Sequence, residues 1–151
     1  AVWVIAFSIG MIVEIVGVQT GEIFGDYYYG ENLGLKFMGV PFLIGVNWAV
    51  LSFITAAISS RLTKYFWKSI LIGTCFMLVL DLLLEPLAGV IDFWHFEGGV
   101  VPIQNYVAWF VTSFFLQFLI RKTMDFNKPY FSTHLFLTQI IFFGSCYLIL
   151  V

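Results

Sequence analysis

Five runs of almost continuously apolar residues divide the chain, at roughly 1 to 19, 39 to 60, 69 to 88, 102 to 120 and 132 to 151. Each is about 20 residues long, enough at ~1.5 Å per residue to cross a hydrocarbon layer of ~30 Å. They lack the alternation over ~10 residues that marks membrane strands. The pattern predicts an all-α fold, a polytopic transmembrane helical bundle of about five helices, forming a single domain over residues 1–151. Ala1 already stands inside the first apolar run, with no Met and no signal-peptide arrangement before it. A further N-terminal segment is therefore expected upstream.

Composition makes lipid the relevant solvent. Of 151 residues 61% are hydrophobic, 20% aromatic and only 11% charged, with a mean hydropathy of +0.98. A net charge of -2 and scattered Lys and Arg leave no basic patch, which argues against nucleic acid as a partner. Cys75 and Cys146 lie in apolar runs without CxxC or Cys/His spacing and read as small buried hydrophobes. His95 and His134 fall near opposite ends of the predicted spans, so no metal site is expected.

The basic residues orient the bundle. Arg61, Lys64 and Lys68 separate runs two and three; Arg121, Lys122 and Lys128 separate runs four and five. The loops near 61–68 and 121–131 are expected on the cytoplasmic side of a prokaryotic cytoplasmic membrane. The other two connections carry Lys36 alone among basic residues, against Glu22, Asp26, Glu31, Asp92 and Glu97. With runs one and three leading outward, all nine acids except Asp125 fall on the outer side.

Loop acids follow from that asymmetry, but acids within spans do not. Each costs about 2.5 to 3.5 kcal/mol near a helix centre and less toward the interface. Asp81 and Glu85, in the segment Asp81-Leu-Leu-Leu-Glu85-Pro86, are spaced i, i+4 and share one helical face. Desolvation and mutual repulsion keep both from being ionised together, so the pair holds a proton and is a candidate donor. A structural alternative has one carboxylate bonding a neighbouring helix while the other reaches water, helped by irregularity at Pro86. Glu14 lies among Gly10, Gly17 and Gly21, which allow close helix packing but do not explain the acid.

Two halves of the chain carry a similar order of features. Glu14, the aromatic-acidic stretch Phe24-Gly25-Asp26-Tyr27-Tyr28-Tyr29, Gly39-Val40-Pro41 and Asn47-Trp48 match Asp81 and Glu85, then Asp92-Phe93-Trp94-His95-Phe96, Gly99-Val100-Val101-Pro102, and Asn105 with Trp109. Two hairpins of the same direction would be related by an axis along the membrane normal. Asn105 and Trp109, again i, i+4, offer one polar and one aromatic group to a common cavity. Tyr27 to Tyr29 and Trp94 suit an interfacial aromatic belt. Aromatic faces also stabilise cations, so a proton donor among them suits protonation of an alkene. A lone histidine in the outer loop, His95, reads as an interface residue or a ligand contact.

These blocks resemble the membrane carotenoid-biosynthesis proteins that include the carotenoid 1,2-hydratases of the bacterioruberin and gamma-carotene type. The first block runs from Glu14-Ile-Val-Gly17-Val-Gln-Thr-Gly21 through Phe24 to Tyr29, Leu33-Gly34, Gly39-Val40-Pro41 and Trp48. The second holds Asp81-Leu-Leu-Leu-Glu85-Pro86, Trp94, Pro102, Asn105-Tyr106 and Trp109-Phe110. The chain is shorter at its start than the resemblance leads one to expect. The resemblance implies cofactor-free addition of water to the terminal C1,2 double bond of an acyclic carotenoid held in the lipid bilayer, with other carotenoid-pathway enzymes as expected partners. Asp81, Glu85 and Glu14 would be catalytic; Tyr29, Trp48, His95, Asn105 and Trp109 would contact the substrate. A rival of the same chemistry is a carotenoid cyclase, in which an internal double bond captures the cation. A rival of another class is a proton-coupled carrier or non-catalytic subunit; against the carrier, a relay needs polar residues in the inner halves of the helices, and few stand there beyond Thr74 and Gln117.

Overall fold

The computed structural model describes residues 1–126 and 130–151. Five helices run α1 Val2–Thr20, α2 Phe42–Leu62, α3 Phe66–Ala88, α4 Ile103–Thr123 and α5 Tyr130–Leu150, each long and apolar enough to cross a bilayer. Lys128, one of the expected cytoplasmic charges, lies outside the described residues.

Local signals explain most of the boundaries. Gly21 takes a left-handed conformation (φ 68°) and its N–H bonds the Gly17 carbonyl, which closes α1. Pro41 and Pro102 stand immediately before the first turns of α2 and α4, where φ near -65° suits the chain and a missing N–H costs nothing. Helix α2 therefore opens at Phe42, three residues later than the apolar run suggests. Residues Lys36–Phe37 (β2) and Val40–Pro41 (β3) form a minute hairpin before it, turning through Met38 and Gly39 at positive φ. Helix α3 passes through Pro86 and continues to Ala88, so the expected irregularity does not end the helix.

Helix α2 is the buried centre; α1, α3, α4 and α5 all pack against it, and α3 also packs against α4 and α5. Glycines set the closest approaches. A Cβ on Gly10 would lie 2.5 Å from the Trp48 Cβ, and one on Gly73 would run into the Gln117 amide. The outward faces carry large apolar residues such as Ile12, Leu71, Val111, Phe142 and Leu148, as a lipid-facing surface requires.

The helix halves nearer the Arg61 and Arg121 ends hold more buried polar groups than Thr74 and Gln117. Ser52, Thr55, Ser59, Ser60, Ser69 and Ser113 are buried there as well. Gln117 Nε2 donates to Thr55 Oγ1 (2.8 Å) and to the Ser52 carbonyl (3.0 Å), and the Ser59 and Ser69 hydroxyls lie 3.1 Å apart. Arg121 Nε reaches Ser69 Oγ at 3.3 Å. Arg61, Lys64, Lys68 and Arg121 stand at or beside the helix ends here, with Arg121 tied to α3 through Ser69.

At the other end the two long connections pair with each other. Tyr27–Tyr29 (β1) and Trp94–Phe96 (β4) form an antiparallel ladder with Tyr27 opposite Phe96, Tyr28 opposite His95 and Tyr29 opposite Trp94. A hydrophobicity count misses these strands because they are three residues long and lie in loops. Since side chains alternate across a strand, the ladder turns Tyr27, Tyr29, Trp94 and Phe96 to one face and Tyr28 and His95 to the other. The first face covers the bundle.

Candidate active site

Under this cap, three carboxyl side chains from two helices are buried almost completely: Glu14 at 3% exposure, Asp81 at 1% and Glu85 at 8%. Glu14 projects from α1 into a ring of three donors. The Tyr27 and Tyr29 hydroxyls donate to Oε2 at 2.5 and 2.6 Å, and Trp48 Nε1 donates to Oε1 at 2.8 Å. Burial first, and then the neighbouring Glu14 charge, pushes the pKa of both phenols up. They are therefore neutral donors at any physiological pH. Gly17 makes room for the arrangement, since a Cβ there would stand 2.6 Å from the Phe24 ring that packs edge-on to Tyr27.

The second carboxyl group forms one helical turn along α3. Asn105, in the first turn of α4, donates its amide to Glu85 Oε1 at 2.8 Å and lies 3.5 Å from Asp81 Oδ2. Trp94 Nε1 donates to Glu85 Oε2 at 3.2 Å. Asp81 and Glu85 stand one helical turn apart on α3, both buried and on one face of the helix. Asp81 Oδ1 has no donor from the protein.

A cavity of about 30 Å³ lies between the two carboxyl groups, lined by Glu14, Tyr27, Tyr29, Trp48, Glu85, Trp94, Asn105 and Trp109 among others. It is large enough to admit water. Trp48 and Trp109, both on its wall, stack directly on each other, their centroids 4.1 Å apart. Of the residues expected from sequence, Glu14, Glu85, Tyr29, Trp48, Asn105 and Trp109 all meet at this chamber. Asp81 does not line it; it sits behind Glu85, one turn deeper.

His95 is also outside the chamber. Its ring stacks on Tyr28 (5.1 Å) on the far face of the ladder, and Nε2 lies 2.9 Å from Asp92 Oδ1. It lines a separate cavity of about 450 Å³ at the capped end, which Glu85 and Trp94 also border. The His95 hydrogen bond, and then the Glu31 N–H on Oδ2, hold the Asp92 carboxyl below its usual pKa. Asp92 adopts φ 54°, in the left-handed region that Asp tolerates better than most residues.

Two contributors were not legible as such. Tyr27 and Trp94 read as belt aromatics, because only the strand register reveals that they point inward to carboxylates. Asn47 was visible only as part of the repeat; it lines the chamber and, with Ile44, Leu84 and Trp94, also borders a cavity of about 290 Å³ between α2, α3 and α5. Among the described residues no three of His, Cys, Asp and Glu converge as a metal-binding group.

Comparison with known proteins gives this geometry a context. A family model described as "Carotenoid biosynthesis protein" matches residues 1–150. Over 109 residues the chain is 33% identical to bisanhydrobacterioruberin hydratase of Haloarcula japonica, a match covering 66% of this chain and 37% of that protein. The chain thus spans well under half the length of the curated relative it matches. No solved structure matches. The chain belongs to the carotenoid biosynthesis protein family, and with five apolar helices of spanning length it is an integral membrane protein.

Proposed function

We propose that this chain is a carotenoid hydratase that adds water across the terminal C1,2 double bond of an acyclic carotenoid end group. One arrangement supports the reading: Glu85, with Asp81 one turn behind it, lines a small chamber together with Glu14 and two stacked indoles. The relative's hydratase name favours hydration within the family's chemistry.

Glu85 lines the chamber and is the proton donor. Its proton passes to C2 of the alkene, the π electrons form the new C–H bond, and a tertiary cation is left at C1. Trp48 and Trp109 offer π faces to that cation. Glu14, with both oxygens already accepting hydrogen bonds, acts as a fixed counter-charge. Water bonds to C1, and the proton it releases returns to Glu85, so the pair ends as it began. Asp81 is a positioning residue: it keeps the shared proton on the pair and touches no substrate. Water reaches Glu85 from the 450 Å³ cavity at the capped end, which the charge asymmetry assigns to the outer side of the membrane. The mechanism draws on no cofactor.

Carotenoid extracts from cells expressing the chain with an acyclic substrate test the reading. Hydration adds the mass of one water per modified end; a cyclase product has unchanged mass and overturns it. A second reading, a proton-coupled carrier, is favoured by the buried Ser52, Thr55, Gln117, Ser59 and Ser69 groups and the half-buried Arg121 at the same end of the bundle. Acid-driven proton uptake by liposomes containing the protein, without pigment conversion, would select it.

A further inference from the structure

At about 30 Å³ the chamber is too small for a whole carotenoid end group. The substrate must therefore bind elsewhere, with only its terminus reaching Glu85. The 290 Å³ cavity between α2, α3 and α5 meets that requirement. It is nearly tenfold larger than the 30 Å³ chamber and shares with it the wall residues Ile44, Asn47, Leu84 and Trp94. None of its lining residues is charged, and Leu43, Val50, Leu51 and Leu80 supply an aliphatic surface.

Its third wall is α5, through Gln139 and Phe143. That helix packs on α2 and α3, and only 6% of its spanning window is buried. The carboxyls, their donors and the chamber walls all come from α1 to α4 and the two long connections. Helix α5 therefore walls this cavity while lending no residue to the acid chamber. The larger cavity at the capped end suits a chain less well, since Glu85 and His95 border it and it lies among the polar connections.

We propose that the cavity between α2, α3 and α5 binds a linear isoprenoid chain, which enters sideways from the bilayer past α5 and presents its terminus to Glu85 through the opening at Asn47 and Leu84. This rests on the hydratase reading for the identity of the chain. Asn47 has a specific place in it. Its amide borders both cavities and makes no side-chain hydrogen bond among the described residues, so it is free to bond the alcohol formed at C1.

The test uses lycopene, an acyclic polyene hydrocarbon, with the full protein in lipid nanodiscs, and reads binding by the shift and induced circular dichroism of the polyene absorption. Wild type and Glu85→Gln are expected to bind alike, with only wild type producing the hydrated pigment. Val50→Trp, which fills the cavity, is expected to lower affinity at least tenfold, and Phe143→Trp narrows it from the opposite, loosely held wall if the first variant does not accumulate. Leu148→Trp, on the lipid face of α5, should leave binding unchanged. Wild-type affinity in both cavity-filling variants overturns the proposal even if hydration persists, and leaves the hydratase reading standing. Binding lost in those variants, with no hydration by any protein, supports the cavity and overturns the hydratase reading.

Discussion

The indoles of Trp48 and Trp109 lie face to face, centroids 4.1 Å apart and planes 22° from parallel. One comes from α2 and the other from α4, at matching distances from Pro41 and Pro102. Trp48 also donates to Glu14, so the stack is tied to the fixed carboxylate. Trp48→Phe keeps a ring in place but leaves Glu14 Oε1 without that donor. Unfolding in detergent should show a loss of about 1–3 kcal/mol for the orphaned buried acceptor, with slowed hydration at unchanged lycopene binding.

Glu85 and Asp81 should separate in kinetics. Glu85→Gln removes the group that faces the chamber, and product formation should fall by about 10²–10⁴-fold, the range of a lost general acid. Asp81→Asn keeps a hydrogen-bonding partner for Glu85 and removes only the shared proton's second site. A smaller loss with a displaced pH profile is expected, measured as initial rates across pH. Equal losses with unshifted profiles would sink the division of roles.

Tyr27 and Tyr29 should remain protonated well above the ordinary phenol pKa of about 10. Their folded-state values are raised, so the neutral form is the stable one while the fold lasts. In an alkaline phenolate-absorbance titration, the Tyr27→Phe/Tyr29→Phe variant should match wild type until the protein unfolds.

Asp92 gives the capped end an acid-side limit. Its folded pKa is lowered by His95 and the Glu31 N–H, so the stabilisation it supplies is present above its unfolded value, about 3.9, and is lost as pH falls through the folded value. Hydrogen exchange of the peptides around 27–31, corrected for intrinsic rates, should rise in that window. Asp92→Asn should remove the step.

Gly10→Ala should act at a distance from the carboxyls. The new Cβ would stand 2.5 Å from the Trp48 Cβ, forcing α1 from α2. Overpacking of this kind costs typically 1–3 kcal/mol, and Trp48 would leave Glu14. Gly144→Ala, with nothing within 4 Å, should be silent in both thermal unfolding and turnover.

How much of this was legible in the sequence follows from the range of each signal. Twenty apolar residues in a row have few destinations, so the five helices are plain from composition alone. Intramembrane acids stand out for the same reason, and Glu14, Asp81 and Glu85 needed no coordinates to be noticed. Which of them faces the chamber did need coordinates, because Asp81 and Glu85 share a helical face and differ only in depth. His95 illustrates the other limit. It neighbours Trp94 in sequence but points the opposite way, a consequence of the two-residue period of a strand too short to announce itself. The serines buried toward the Arg121 end leave little trace in the sequence, because a hydroxyl barely perturbs a hydropathy run, yet helix packing aligns them.

The β1–β4 ladder acts as a caliper. Glu14 is held by Tyr27 and Tyr29 of one strand, and Glu85 by Trp94 of the other. The gap between the two carboxylates is therefore gauged by backbone hydrogen bonds at the membrane surface, not by the sliding contacts of apolar helices below. Changes of bilayer thickness that tilt α1 against α3 would strain the ladder before they widened the chamber. Activity in this protein should accordingly be insensitive to lipid chain length over the range in which the three paired residues of each strand stay in register.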